Sequence, residues 1–188
     1  MTTRSHTRSV DLPVPAERAF AMLLEPSAIR AWWGASRAIV APQVGGDWVA
    51  AWGAEEDLPD YVTAATIEVL EAPQRLRLVA FRYLARREGA LPFDGRALAT
   101  EFRIARRTGG GCTLTVEQSG FPTGSVADAF FAGCEVGWKN TLEGLARHCR
   151  GELVRTRATE PPHAIPTLAT ERLELRAFTN ADIGVYAR

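Results

Sequence analysis

The residues of this chain that bear most on chemistry are its large rings: Trp32, Trp33, Trp48, Trp52, Phe81, Tyr83, Phe102, Phe130 and Trp138. Rings with at most one polar atom suit a pocket for an apolar or aromatic small molecule, and the same rings also build ordinary core. Trp32 and Trp33 are adjacent and cannot share one helix face, so one of them belongs at a rim and is the better pocket residue. Gly133 and Gly137 stand four apart, and in a helix interior each costs ~1 kcal/mol relative to Ala. Either they leave cavity volume for a ligand or they let a sheet approach closely; their surroundings are too polar for a membrane dimer motif. The candidate ligand-binding set is therefore Trp33, Trp48, Phe81, Tyr83, Phe102, Phe130, Gly133 and Gly137.

Catalytic constellations are thin. Glu135 and Arg82 would make an acid–base pair if both pointed into a cavity, but solvation is the default for each. His6, His148 and His163 have no partner at metal-ligand spacing, and His148 reads as a favourable contact with a helix C-terminus. There is no G-x-S-x-G elbow. Gly109-Gly110-Gly111 joins two strands and reads as a hairpin turn rather than a phosphate cradle. Cys112, Cys134 and Cys149 lack C-x-x-C spacing and read as reduced, buried thiols. The expectation is no catalytic residue, no metal and no cofactor.

The elements that must position these residues follow from periodicity. Arg4 to Leu12 is strand-like, and Pro15 suits the first turn of a helix carrying Ala19, Phe20, Leu23 and Leu24. Pro26 is expected to end that helix, Ser27 to cap a second one through Trp33, and Gly34 to close it. Strand-like runs follow at Ser36–Ala41, Asp47–Trp52, Val62–Leu70, Arg75–Tyr83, Ala97–Arg106 and Cys112–Ser119. In the last pair Leu98, Phe102 and Ile104 oppose Glu101 and Arg103, while Cys112, Leu114 and Val116 oppose Thr113, Thr115 and Glu117. Period two with one wet face indicates an antiparallel sheet. Gly120-Phe121-Pro122 reads as the end of that sheet. A helix from Ser125 to about Arg150, roughly 39 Å long, opens with a capping-box pattern of Ser125 and Asp128. Its apolar stripe runs through Val126, Phe130, Gly133, Gly137, Thr141 and Leu145, widened by Phe131, Trp138, Leu142 and Cys149. One helix laid across a curved sheet buries both apolar faces together, an α+β arrangement.

The 188 residues allow one domain of usual size plus a tail. Hydrophobic residues at 46% and charged residues at 23% exclude a mostly disordered chain. The 22 basic and 22 acidic residues cancel, which argues against nucleic acid or an acidic membrane as partner. No apolar run approaches the ~18 residues of a membrane span, and no apolar signal core follows Met1, so the expected location is cytoplasmic.

Four stretches, in order, carry a family resemblance: Pro13 to Phe20 with Glu25-Pro26, Trp32-Trp33-Gly34, Gly45-Gly46-Asp47-Trp48, and Gly137 to Leu145. They resemble the SRPBCC (START-like) superfamily, within it the bacterial proteins similar to activators of heat-shock protein 90 ATPase, over about residues 4–152. The resemblance implies a helix-grip fold, also that of birch-pollen allergens, in which a curved antiparallel sheet wraps a long C-terminal helix and leaves a cavity. Two short helices follow the first strand. Residues 1–152 would form this domain. Residues 153–169, with Pro161-Pro162 and Pro166, read as a linker. The tail 170–188, from Thr170-Glu171-Arg172-Leu173 to Asp182, resembles the opening of a GNAT N-acetyltransferase, cut short of its acetyl-CoA loop and so without that activity.

The expected function is binding of a small hydrophobic molecule by a non-catalytic carrier or sensor. The alternatives are a polyketide-cyclase-like enzyme, which needs an ionisable group such as Glu135 or Arg82 in the cavity, and a module that binds a chaperone and regulates its ATPase. A homodimer stays open.

Overall fold

In the computed structural model the chain divides into two units, Met1–Val154 and Arg155–Arg188. The structure describes residues 2–55, 57–86, 91 and 93–151, and the backbone of 168–169 and 174–175. In the second unit Leu168–Ala169 pairs antiparallel with Glu174–Leu175. The rest of the linker and of the GNAT-like stretch, His163 included, lies outside the described residues.

The first unit runs β1 (Thr3–Leu12), α1 (Ala16–Met22), α2 (Pro26–Trp33), β2 (Arg37–Val40), β3 (Asp47–Trp52), β4 (Tyr61–Glu71), β5 (Arg75–Ala85), a 3-10 turn (Gly95–Ala97), β6 (Ala99–Arg106), β7 (Cys112–Pro122) and α3 (Ser125–Cys149). The strands form one seven-stranded sheet in the order β1-β7-β6-β5-β4-β3-β2, and every pairing is antiparallel. The core lies between this sheet and the helices. Leu98, just before β6, and Phe102, Leu114 and Val116 from the sheet share one core with Trp138, Leu142 and Leu145 from α3. This is the α+β architecture expected above.

Three local expectations are corrected. Pro26 does not end α1; it is the first residue of α2, behind Glu25, because its fixed φ and missing N–H suit a helix start. Ser27 therefore lies inside α2 and caps nothing, whereas Gly34 does close that helix at φ +70°. Likewise Ser125 and Asp128 form no capping box. Gly124 is the N-cap and makes no side-chain bond, while Asp128 pairs instead with Arg4 across from β1. Val126 is exposed at this first turn rather than part of the buried stripe.

The third correction matters most for the site. Gly120 does not break the sheet; β7 continues through it to Pro122, paired with Thr3 and Arg4. Between Arg4 and His6 on β1, β7 advances three residues against two, so Gly120 sits in a bulge at φ +89°. A Cβ there would stand 1.9 Å from the Ala97 carbonyl oxygen. The extra residue flips the alternation, so that Gln118 and Phe121 both face inward.

Two further bulges act in the same way. Glu68 is the extra residue in β4, so Ile67 and Leu70 share the inner face. An extra residue in β5 at Ala80 (φ +53°) turns Phe81 and Tyr83 to the face already occupied by Leu76 and Leu78. Bulges bend the strand that carries them and increase its twist, which is how the sheet curves around the helix.

The outer face carries its own surprise. Glu101 points outward as expected, yet it is only 3% exposed. Arg75 and Arg77 donate to its Oε2 at 3.0 and 3.2 Å, and Arg103 closes over Oε1.

Candidate functional site

Between the inner face of the sheet and α3 lies a cavity of about 440 Å³, within the ~300–1,000 Å³ usual for small-molecule sites. All eight residues of the sequence-derived set line it: Trp33, Trp48, Phe81, Tyr83, Phe102, Phe130, Gly133 and Gly137. Of the wider aromatic set, Trp138 also reaches the lining, whereas Trp32 and Trp52 do not.

The tryptophans are held from the α2 side. Trp32 is buried and its Nε1 donates to the Met22 carbonyl at 3.0 Å. Trp33 is half-buried and stacks on it, ring centroids 5.1 Å apart and planes 11° off parallel. From there Trp33 touches Trp48 at 5.5 Å, Trp52 at 5.4 Å and Trp138 at 5.3 Å, so it is the rim residue of a five-indole cluster. Trp48 Nε1 donates to the Leu23 carbonyl at 2.9 Å, which fixes that ring as one wall. At the other end Tyr83 meets Phe81 and Phe130, each at 5.9 Å.

Across the opening, α3 presents Ala129, Gly133, Gly137 and Thr141, one small residue per turn. A Cβ built on Gly133 or Gly137 meets nothing within 4 Å. Close approach of the sheet is thereby excluded as the reason for these glycines. They leave open space.

Sequence reasoning missed Thr63, Leu78, Thr100, Gln118, Ala129, Cys134 and Thr141 as lining residues. For two of them a signal existed. Thr100 and Gln118 occupy inward positions in strands whose other inward residues, Phe102, Ile104, Leu114 and Val116, are apolar. They face each other directly across β6 and β7. The same register continues outward, with His6 opposite Gln118 and Leu78 opposite Thr100. Gln118 Oε1 accepts from Trp138 Nε1 at 3.0 Å. Thr100 is 2% exposed and its Oγ1 has no hydrogen-bond partner.

The lining holds no charged side chain among the described residues. Burial raises the Tyr83 hydroxyl above its ordinary value; the nearby Cys134 adds to this and Gln118 opposes it. Burial pushes the Cys134 thiol up to about 12. Both are neutral at pH 7, so neither supplies a base there. Glu135 and Arg82 do not meet in the cavity. Glu135 is 3.6 Å from Arg8, Arg82 is 3.7 Å from Asp47, and both pairs reach solvent. Among the described residues no cluster of His, Cys, Asp and Glu could hold a metal. No described helix is long and apolar enough to cross a membrane.

An antiparallel sheet gripping one long helix over a ring-lined cavity defines a helix-grip domain of the SRPBCC kind. The chain belongs to the activator of Hsp90 ATPase homolog 1-like family, whose profile matches residues 13–150. Solved structures share the fold. The crystal structure of protein MLL2253 from Mesorhizobium loti is 22% identical, with a TM-score of 0.59 over 77% of this chain and 95% of that one. The AHSA1-like protein from Aeromonas hydrophila, solved by NMR, is 17% identical, with a TM-score of 0.60 over 79% of this chain and 93% of that one. DynU16, from the dynemicin biosynthetic locus, is 14% identical, with a TM-score of 0.60 over 79% of this chain and 48% of that one. At such identities the likeness is one of fold. No curated protein matches the chain.

Proposed function

We propose that this protein binds a small, apolar, ring-containing molecule between its sheet and α3, as a non-catalytic carrier or sensor in the cytoplasm. The observation that carries this reading is the open space over Gly133 and Gly137, facing walls of Trp33, Trp48, Phe81 and Phe102. A helix whose only task was to cover a core would have alanine there, since each glycine costs ~1 kcal/mol of helix stability. A carrier is favoured over a cyclase because the ionisable groups of the lining are held neutral and the Glu135 and Arg82 charges are spent on surface ion pairs. We assign binding to residues 1–152, with 153–169 a linker and the tail 170–188 outside the binding unit.

Native mass spectrometry of the purified full chain tests this, together with a thermal-shift screen of uncharged aromatic compounds. The expected result is a bound mass that disappears on denaturation, or a compound that raises Tm in the wild type but not in Gly133→Phe. A protein that is empty, and that no compound of the screen stabilises, would sink the reading and return the rings to the core.

A further inference from the structure

Among the polar residues of a mostly apolar lining, which also include Thr63, Tyr83 and Thr141, Thr100 and Gln118 stand opposite each other on β6 and β7. Cross-strand partners on one face hold their Cβ atoms about 5 Å apart, close enough for two side chains to address one ligand atom. Their hydrogen-bonding capacity is not symmetrical. Trp138 Nε1 can only donate, so its bond at 3.0 Å takes the Gln118 carbonyl oxygen, while the Gln118 amide group faces the Tyr83 hydroxyl and the His6 ring, its other side-chain partners. Thr100 Oγ1 is buried without a partner, a cost that a protein normally avoids. A threonine at this position gains nothing from the fold that valine would not supply. It gains a partner if a ligand brings one.

We infer that the ligand is an uncharged ring system bearing a carbonyl, whose oxygen accepts a hydrogen bond from Thr100 Oγ1, beside Gln118, while its rings lie against Trp33, Phe102 and Trp138. This inference rests on the binding reading above and adds the chemical class. A carboxylate is disfavoured because no cation lines the cavity among the described residues, and an unpaired buried charge is expensive. A bare hydrocarbon would leave Thr100 orphaned.

Three probes with nearly the same ring frame separate these possibilities: fluorenone, fluorene and fluorene carboxylate. Binding to the full chain at neutral pH is read by quenching of tryptophan fluorescence, since Trp33, Trp48 and Trp138 line the cavity. Fluorenone should bind about tenfold more tightly than fluorene, the increment of one good hydrogen bond, and the carboxylate more weakly than either. Thr100→Val should bring fluorenone down to the level of fluorene while leaving fluorene unchanged. Its Tm should not fall, because Oγ1 bonds nothing in the protein. Thr100→Ser, which restores a hydroxyl, should recover the preference.

Equal binding of fluorenone and fluorene, or a preference that survives in Thr100→Val, would overturn the carbonyl assignment and leave the cavity reading intact. Tight binding of the carboxylate would do the same. If none of the three binds, the inference and the binding reading fall together.

Discussion

Trp138 on α3 donates its indole N–H to Gln118 on β7, a buried side-chain hydrogen bond that ties the long helix to the inner face of the sheet. Trp138 is 7% and Gln118 3% exposed, so both partners have given up water to make this bond. Replacing Gln118 by Leu would leave the indole N–H unpaired in an apolar setting, at a cost of about 1–3 kcal/mol. Trp138→Phe would orphan the amide oxygen and lose contact with Trp33 and Phe102 as well. Urea unfolding should show both single variants destabilised. The double variant Gln118→Leu with Trp138→Phe should be more stable than the sum of the two losses.

Gly133 and Gly137 are predicted to be worse for stability than alanine. Neither has positive φ and a Cβ at either position meets nothing. Each Gly→Ala change should therefore raise stability by about 1 kcal/mol, visible as a higher Tm. A large residue at the same place should fold as well and fill the cavity instead. Destabilisation by alanine would mean that the sheet approaches the helix more closely than the structure shows.

Gly120 behaves oppositely. Its φ of +89° and the 1.9 Å approach of the Ala97 oxygen to any Cβ leave no room for a side chain. Gly120→Ala should cost at least ~2 kcal/mol, from backbone strain together with displacement of the start of β6. If thermal unfolding of Gly120→Ala matched wild type, the bulge and the inward turn of Phe121 would both be in question.

Acid stability should depend on two buried groups. Burial lowers the His6 value below 6.5, with Arg8 adding to this and Gln118 and Glu135 opposing it. For Glu101 burial favours the protonated form, but the bonds from Arg75 and Arg77 and the charge of Arg103 outweigh it, and the value falls below 4.5. In both cases the unfolded chain takes up the proton more readily. The stability each contributes is present above the unfolded value and lost as pH falls through the folded one. Unfolding free energy should thus decline below about pH 6.5 through His6 and again below about pH 4.5 through Glu101. His6→Phe, which suits a site between Phe121 and Phe131, should remove the first decline without loss at pH 7. Glu101→Gln should flatten the second and lower stability at pH 7. Identical pH profiles for wild type and both variants would refute the assignments.

The sequence by itself determined the kinds of element and their order. Alternation in Cys112–Ser119 and the long helical run from Ser125 are local properties, set by which side chains must leave water together. It also picked out the rings, because an aromatic residue on these segments has few places to go except the space between sheet and helix. What it could not show was which face each residue takes after an irregularity. Period two holds only while both strands advance in step, and the bulges at Glu68, Ala80 and Gly120 depend on the partner strand as much as on the residue itself. Those bulges turn Leu70, Phe81, Tyr83 and Phe121 inward. The tertiary structure alone also decided that Gly133 and Gly137 face open space, since the distance between a helix and a sheet is fixed by the large side chains that prop them apart. Here the props are Trp138, Leu142 and Leu145 at one end of α3 and Phe130 and Phe131 at the other. Between them the small residues leave the cavity open.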